Sequence, residues 1–472
     1  MSASAKSGHS SAQMLRLISA VTALQLIQVN GIACPSSVWQ LGDVMQLIGW
    51  RHLKNYFSTS LWAVPILAIP FAMIATRALH WLDAKTEWTL LGFGVPGAQA
   101  TLQAVVTASL SFLVFTFGSL LVAIQVASGQ LTPRIIATTL LRNDVVRYTV
   151  ALFMFTLLLA ASVLGRTDAK VHQLPLFAAV ALGVACFAAF LYLIDSASRL
   201  LRPITVLTNV GDGGIAVIKG VYPEPSVGPD ITESRRQKLS SPDRVIPHRG
   251  TSSIVLSVDI NALVDLAKST GGVIEFVPQV GDFVAVDEPL FNLYGDARSI
   301  DADLLHSAVD FGSERTMEQD PTFAFRIVID IALKALSPAI NDPTTAVLAI
   351  DQLHRLLRSV GKRHLRTDEI VEAGHLRVIF RTPNWDDFVN LTFSEIRANG
   401  AGNLQIVRRL RAMIENLKET LPTHRLRELD KQLSLLDSEV PRLFRYPEEL
   451  ALARVGDSQG LGGRSSRPIE DE

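Results

Sequence analysis

Two cysteines in 472 residues, Cys34 and Cys186, are too few and too far apart for a disulfide framework or a thiolate metal site. The ten histidines are scattered, with no His-Glu-x-x-His spacing, so no metal or other cofactor is expected. Net charge is −1, which leaves no global field to attract nucleic acid, and none is expected as a partner. A phosphate loop of the Gly-x-x-x-x-Gly-Lys-Ser/Thr kind is also missing. The glycine-rich Val210-Gly211-Asp212-Gly213-Gly214 is too short for one and reads as a turn. No catalytic residue stands out, and an enzyme is not expected.

What the chain has instead is long apolar runs. Hydrophobic residues make up 48% of it and its mean hydropathy is +0.28, between soluble and polytopic values. Four runs lie close together: Leu61 to about Leu79, Leu102 to Ile124, Tyr148 to Leu164 and Leu174 to Ile194. Each is near the roughly 20 residues a helix needs to cross the hydrocarbon layer. None carries a charge in its interior, Arg77 lying at the end of the first. The chain therefore reads as an integral membrane protein, its lipid bilayer the one certain partner.

Lys and Arg flank the runs unevenly. Arg51 and Lys54, then Arg134, Arg142 and Arg147, then Arg199 and Arg202 fall on one side; Arg77, Lys85, Arg166 and Lys170 fall on the other. The positive-inside bias places both termini in the cytoplasm. The resulting domain plan has an N-terminal extension over 1–59 and a four-helix transmembrane domain over 60–196. A linker with turns over 197–253 holds Pro223, Pro225, Pro229, Pro242 and Pro247. For residues 1–59 an interfacial helix, a cleaved leader ending near Cys34 and an upstream start all stay open.

The second run alone has internal polarity. At 100° per residue Thr107, Ser111, Gly118 and Gln125 share an arc of about 40°. Such a stripe can line a narrow pore or let helices pack closely, and both readings stay open. Ser109 and Thr116 lie on the opposite face. Downstream, Gln130, Thr132, Pro133 and Arg134 form a membrane-face segment. There Thr132 can cap a helix that starts with Pro133, and Arg134 can meet headgroup phosphate.

Past the linker the pattern is α+β. Residues 254–298 read as a small β subdomain: a short helix capped by Asp259, then strands at Val273–Val277, Phe283–Val286 and Leu290–Tyr294, with a tight turn at Gly281-Asp282. This looks like half of a lipoyl-type β-sandwich, yet no lysine lies between Gly271 and Gly295, so a docking role is expected, with no carried cofactor. Residues 299–450 read as a helical subdomain. Asp320-Pro321 and Asp342-Pro343 each pair an N-cap with proline at the first helical position. Two amphipathic runs, Val407 to Leu421 and Leu426 to Val440, form a helical hairpin around Pro422. Residues 451–472 are Gly/Ser/Arg-rich and read as a disordered tail.

Two segments resemble a known family. The first is Gln125-x-Ala127-Ser128-x-Gln130-x-Thr132-Pro133-Arg134. The second runs from Arg315-Thr316 and Gln319-Asp320-Pro321, through Arg326 and Asp330, to Ser337-Pro338-Ala339-Ile340-Asn341-Asp342-Pro343. The chain resembles, over about residues 55–450, the bacterial predicted-membrane-protein family called domain of unknown function 2254. The resemblance implies four spans in a bacterial inner membrane and a cytoplasmic domain, with no established activity. It marks Arg326, Asp330, Ser337, Asn341 and Asp342 as a cytoplasmic signature; Ser337 and Asn341 can line a small-ligand site, and Asp342 can cap a helix or offer oxygen to a cation. Two functions remain: a homo-oligomeric pore or transport path gated by its cytoplasmic module, or an anchored sensor or scaffold.

Overall fold

The computed structural model describes residues 63–86, 92–130, 144–167, 171–200, 202–228, 239, 241–365 and 368–462. The N-terminal extension 1–59 and the signature residues Thr132, Pro133 and Arg134 lie outside them. The chain divides after Leu67, and apart from residues 63–67 every described residue belongs to the unit from Ala68 onward.

Among the described residues five helices are long and apolar enough to be candidate spans. They are α1 (Ala63–Thr86), α2 (Val95–Gln130), α3 (Asp144–Leu164), α4 (Gln173–Leu200) and α5 (Pro203–Val221). The helix α2 has 36 residues. At about 1.5 Å per residue it exceeds the roughly 30 Å hydrocarbon layer. Its Ile124 packs against the core of the C-terminal helices.

The α2–α3 contact is a seam of small and hydroxyl residues. Leu102, Ser109, Thr116 and Ala123 of α2 are spaced by seven, as are Thr149, Thr156 and Val163 of α3, and all are buried. Seven-residue spacing keeps one stripe facing a partner helix, and small side chains let backbones approach where lipid supplies no hydrophobic drive. Gln99 at the start of α2 donates to Thr167 O beyond the end of α3 (2.8 Å), which makes the pair antiparallel. Cys186 of α4 donates to Thr156 Oγ1 (3.2 Å), adding a third helix. The helix α1 sets Ala75 and Leu79 against the core that holds Leu159 and Leu176, and an apolar groove of about 320 Å³ is lined by Ala75, Ala78, Leu79 and Leu82 with Phe155, Leu159, Ala178 and Leu182.

The residues 203–221 correct the linker expected over 197–253. They form the helix α5, whose Val206, Leu207, Val210 and Ile218 belong to one core with the C-terminal helices. The glycine-rich run is likewise no turn; it is the middle of α5. A Cβ on Gly214 would come 2.7 Å from Ala324 Cβ and 2.8 Å from Leu356 Cδ2, and one on Gly211 would come 2.5 Å from Gln352 Oε1. Glycine costs a helix about 1 kcal/mol relative to alanine, and here its missing side chain lets two neighbours close on α5.

Those neighbours are α8 (Pro321–Leu336) and α9 (Pro343–Gly361), joined in one layer by α10 (Trp385–Gly400), α11 (Leu404–Thr420) and α12 (Leu426–Leu443). The first of these, α8, is buried on nearly all sides, as its almost continuous apolar sequence requires. Asp320 and Asp342 cap α8 and α9 through Phe323 N (3.2 Å) and Thr345 N (3.0 Å). The helix α13 (Pro447–Ala453) and residues 454–462 wrap back over α11, so the first half of the expected disordered tail is ordered. Buried Arg408 donates to Val455 O and Gly462 O (both 3.1 Å). Burial pushes the Asp457 carboxyl up, but three backbone N–H groups, of Gly462, Gly460 and Gln459, outweigh it and hold it below the usual carboxylate range.

Two sheets share a second core. One has the order β1-β5-β3-β8-β7, the other β4-β2-β6. Their strands are β1 (Arg244–Pro247), β2 (Ser253–Val258), β3 (Val273–Phe276), β4 (Phe283–Val284), β5 (Pro289–Tyr294), β6 (Val309–Gly312), β7 (Glu369–Glu372) and β8 (His375–Phe380), with α6 (Ile260–Thr270) and α7 (Ala302–Ser307) packed on them. The β subdomain therefore reaches beyond 254–298, and the stretch 299–450 is not wholly helical. Among the described residues only β3–β8 is a parallel pair, made by a hairpin that leaves the helical layer to complete the sheet.

Candidate functional site

Between the sheets and the helical layer lies a cleft of about 1170 Å³. One wall is the C-terminal half of α5, with Ala216, Val217 and Gly220; the others come from the start of α6, the β7–β8 hairpin and the loop before α8. Its charge is lopsided: Glu224, Asp259, Asp310, Glu318, Asp320 and Glu369 face Arg381 and His364. Several of these carboxylates already have local work. Asp259 caps α6 at Ala262 N (3.0 Å), and Asp310 accepts from Ser257 Oγ (2.7 Å).

The loop before α8 also joins the two layers. Gln319 Oε1 accepts from Val258 N of β2 (3.0 Å). Gly281, at φ +92° in the turn before β4, sits so close to Arg315 and Asp320 that a Cβ there would lie 2.4 Å from Asp320 Oδ2. Asp320 is 3% exposed, and Arg315 Nη2 lies 3.5 Å from its Oδ2. Burial pushes its carboxyl above the usual range, against hydrogen bonding from Thr322 and the Arg315 charge. Arg315, Gln319 and Asp320 stand in the family-like segment, yet the sequence reading took its site candidates from the later half.

That later half is elsewhere. Arg326 bonds Asp330 on its own helix (Nε to Oδ1, 2.7 Å) and Glu395 on α10, and its guanidinium is held well above its ordinary pKa chiefly by the Glu395 hydrogen bond. Ser337 O accepts from Asn341 N (2.8 Å), Asn341 is left-handed at φ +48°, and Asp342 N donates to Ala335 O (2.8 Å). Asp342 Oδ2 also accepts from Thr345 Oγ1 (2.5 Å). These five residues clamp and connect α8, α9 and α10, and none lines the cleft. Among the described residues no three His, Cys, Asp or Glu side chains group so as to hold a metal ion.

In the helical bundle Thr107, Ser111, Gly118 and Gln125 are all exposed, on the face of α2 opposite the seam. Ser111 Oγ donates to Thr107 O (2.8 Å), and a Cβ on Gly118 would meet nothing within 4 Å. Packing among the described residues does not account for this stripe.

The sequence carries two nominal motif strings, one of the dinucleotide-binding kind and one of the serine-nucleophile kind, and neither has the setting its chemistry needs. Gly92-Phe93-Gly94-Val95-Pro96-Gly97 opens the apolar α2, with no described strand before it. Gly456-Asp457-Ser458-Gln459-Gly460 lies in the wrap over α11, away from the strand-to-helix turn that gives such a serine its reactivity.

Comparison with known sequences agrees with this architecture. Predicted membrane protein (DUF2254) is the family matched, over residues 58–416. Uncharacterised proteins of Mycobacterium bovis and of Mycobacterium tuberculosis are each 23% identical over 446 residues, 89% of this chain and 82% of theirs. No solved structure matches the chain. With well over half its length matched, the chain belongs to the DUF2254 family of predicted membrane proteins.

Proposed function

We propose that this protein is a homo-oligomeric membrane pore or transport path, gated by a cytoplasmic module built from the sheets and the helical layer. The observation that carries this is the outward stripe Thr107, Ser111, Gly118 and Gln125. The interior of a single bundle is filled by Leu102, Leu113, Phe153, Leu159 and Leu176, so a path requires several copies meeting along α2. Four helices, α1 to α4, cross the inner membrane in this reading. The fifth candidate stays out: Asp212 of α5 pairs with Arg355 of α9 (2.6 Å), and its apolar face is already used. Lys/Arg bias puts both termini inside. No catalytic step is assigned.

Cysteine substitution tests it. In a chain with Cys34→Ser and Cys186→Ala, Thr107→Cys, Ser111→Cys and Gly118→Cys should react with water-soluble thiol reagents. Val184→Cys and Leu191→Cys, exposed on α4, should not. Gly118→Leu should lower flux in reconstituted vesicles. Protected stripe cysteines together with no flux would refute the pore, and reaction of Arg202→Cys from outside intact cells would refute the orientation. The cleft favours the second reading, a membrane-anchored sensor for a small ligand, which the same negative result would leave standing.

A further inference from the structure

At one end of the bundle, α1 is tied to α4 by three titratable side chains. His80 and Asp83 lie one turn apart near the end of α1, and His172 precedes α4. Asp83 serves two donors: its Oδ2 lies 3.0 Å from His172 Nδ1, and its Oδ1 accepts from Leu174 N (2.9 Å). The His80 ring meets the His172 ring edge-on, with centroids 4.6 Å apart and planes at 78°. Both ring nitrogens of His80 are buried and accept or donate no hydrogen bond. The charges that act on His80 are those of His172, Arg166 and Asp83. Beside this cluster Trp81 is exposed with Lys85 Nζ 4.0 Å over its ring, the pairing expected at a membrane–water boundary.

Below the cluster a groove is lined by Ala75, Ala78, Leu79 and Leu82; Ala75 and Leu79 pack on the core of Leu159 and Leu176, and the Phe71 and Phe155 rings meet with centroids 5.5 Å apart. At this end the cluster supplies the polar tie between α1 and the start of α4.

We propose that His80, His172 and Asp83 form a proton-operated clasp between α1 and α4. Asp83 is fully engaged on this side, holding His172 Nδ1 and Leu174 N. A proton on His80 would leave a buried imidazolium with two unanswered N–H groups beside the His172 ring and Arg166, with Asp83 already engaged. Closed, the clasp offers that proton no hydrogen-bond partner; open, His80 meets water. Protonating His80 thus works against the closed arrangement and with the open one. Acid at this end of the bundle therefore releases α1. The inference does not depend on the pore reading; under the proposed topology this end faces outside.

The test uses the full chain in nanodiscs of zwitterionic lipid, with native cysteines replaced and spin labels at Ala84→Cys and Ala181→Cys. As pH falls from 8 to 5, a longer interlabel distance should grow in. His80→Phe keeps the ring edge and cannot titrate, so it should hold the short distance at both pH values. His80→Arg, always charged, should show the long distance at pH 8. An unchanged distance in the unsubstituted clasp, or a pH response surviving in His80→Phe, would overturn the proposal.

Discussion

Adjacent glycines in α5 offer a sharp test of how that helix is used. A methyl group on Gly213 would find Met317 Cε at 3.6 Å, an ordinary contact, whereas one on Gly214 overlaps Ala324 and Leu356. Both substitutions to alanine gain about 1 kcal/mol of helix propensity. Only Gly214→Ala also meets overpacking, which costs about 1–3 kcal/mol because the Ala324 Cβ cannot swing aside. The difference between the two variants isolates the overlap. Hydrogen exchange of the α8 and α9 amides should then be roughly 5- to 150-fold faster in Gly214→Ala than in Gly213→Ala. Equal exchange in the two would refute the packed arrangement. It is the result expected if α5 crossed lipid as a fifth span or formed a turn.

Two further outcomes rest on caps and buried charge. Asp342→Ala should cost about 0.5–2 kcal/mol by loss of the α9 cap while Asp342→Asn is nearly silent, as read from melting of the full chain with and without Mg²⁺; a loss in Asp342→Asn that appears only with the ion present would point to cation binding instead. His354, bonded through Nε2 to Asn416 Oδ1 (3.0 Å) and lying near Arg409 and Asp351, has its imidazole pushed below the ordinary value, first by burial and then by the Arg409 charge. Its contribution is thus present above about pH 6.5 and lost as pH falls through the lowered native value; denaturation midpoints should drop on acidification, and His354→Gln should flatten that slope.

Features legible in the sequence are those set by neighbours in the chain. Asp259, Asp320 and Asp342 each cap a helix because an N-cap needs only its own oxygen and an N–H two or three residues on. The α11–α12 hairpin shows for the same reason: its apolar spacing is local. The β7–β8 hairpin had a local sign too, in Ala373 and Gly374, both at positive φ in a two-residue turn. Its place in the sheet did not, since β8 pairs with β3 from about a hundred residues earlier. The glycines of α5 look identical in sequence whether they bend a chain or admit a neighbouring helix, and only the positions of Ala324, Leu356 and Gln352 decide it. The ordering of residues 454–462 depends in the same way on Arg408 and Gln405 of another helix. The cleft, finally, is made by the meeting of two layers, so no single motif announces it.

The gating half of the proposed function rests on where α5 begins and ends. Its last turns, at Ala216, Val217 and Gly220, are a wall of the cleft, and its first residue, Pro203, follows α4 after two residues. Nineteen residues at about 1.5 Å each make a lever of about 28 Å. Its middle is gripped by α8 and α9 at Gly211 and Gly214, where no Cβ cushions the contact. The cap of α8 is Asp320, which also faces the cleft and touches the Gly281 turn of the sheet layer. A ligand that spreads or closes the cleft would thus shift α5 directly and α8 through its cap, and rigid helices packed this closely move as bodies. The end of α2, with Ile124 against the same core, feels that motion independently of α4. Two of the proposed spans therefore meet the module at separate points, so rotation of the helical layer would turn the stripe of α2 relative to α4, the motion a gate at an α2-lined path requires.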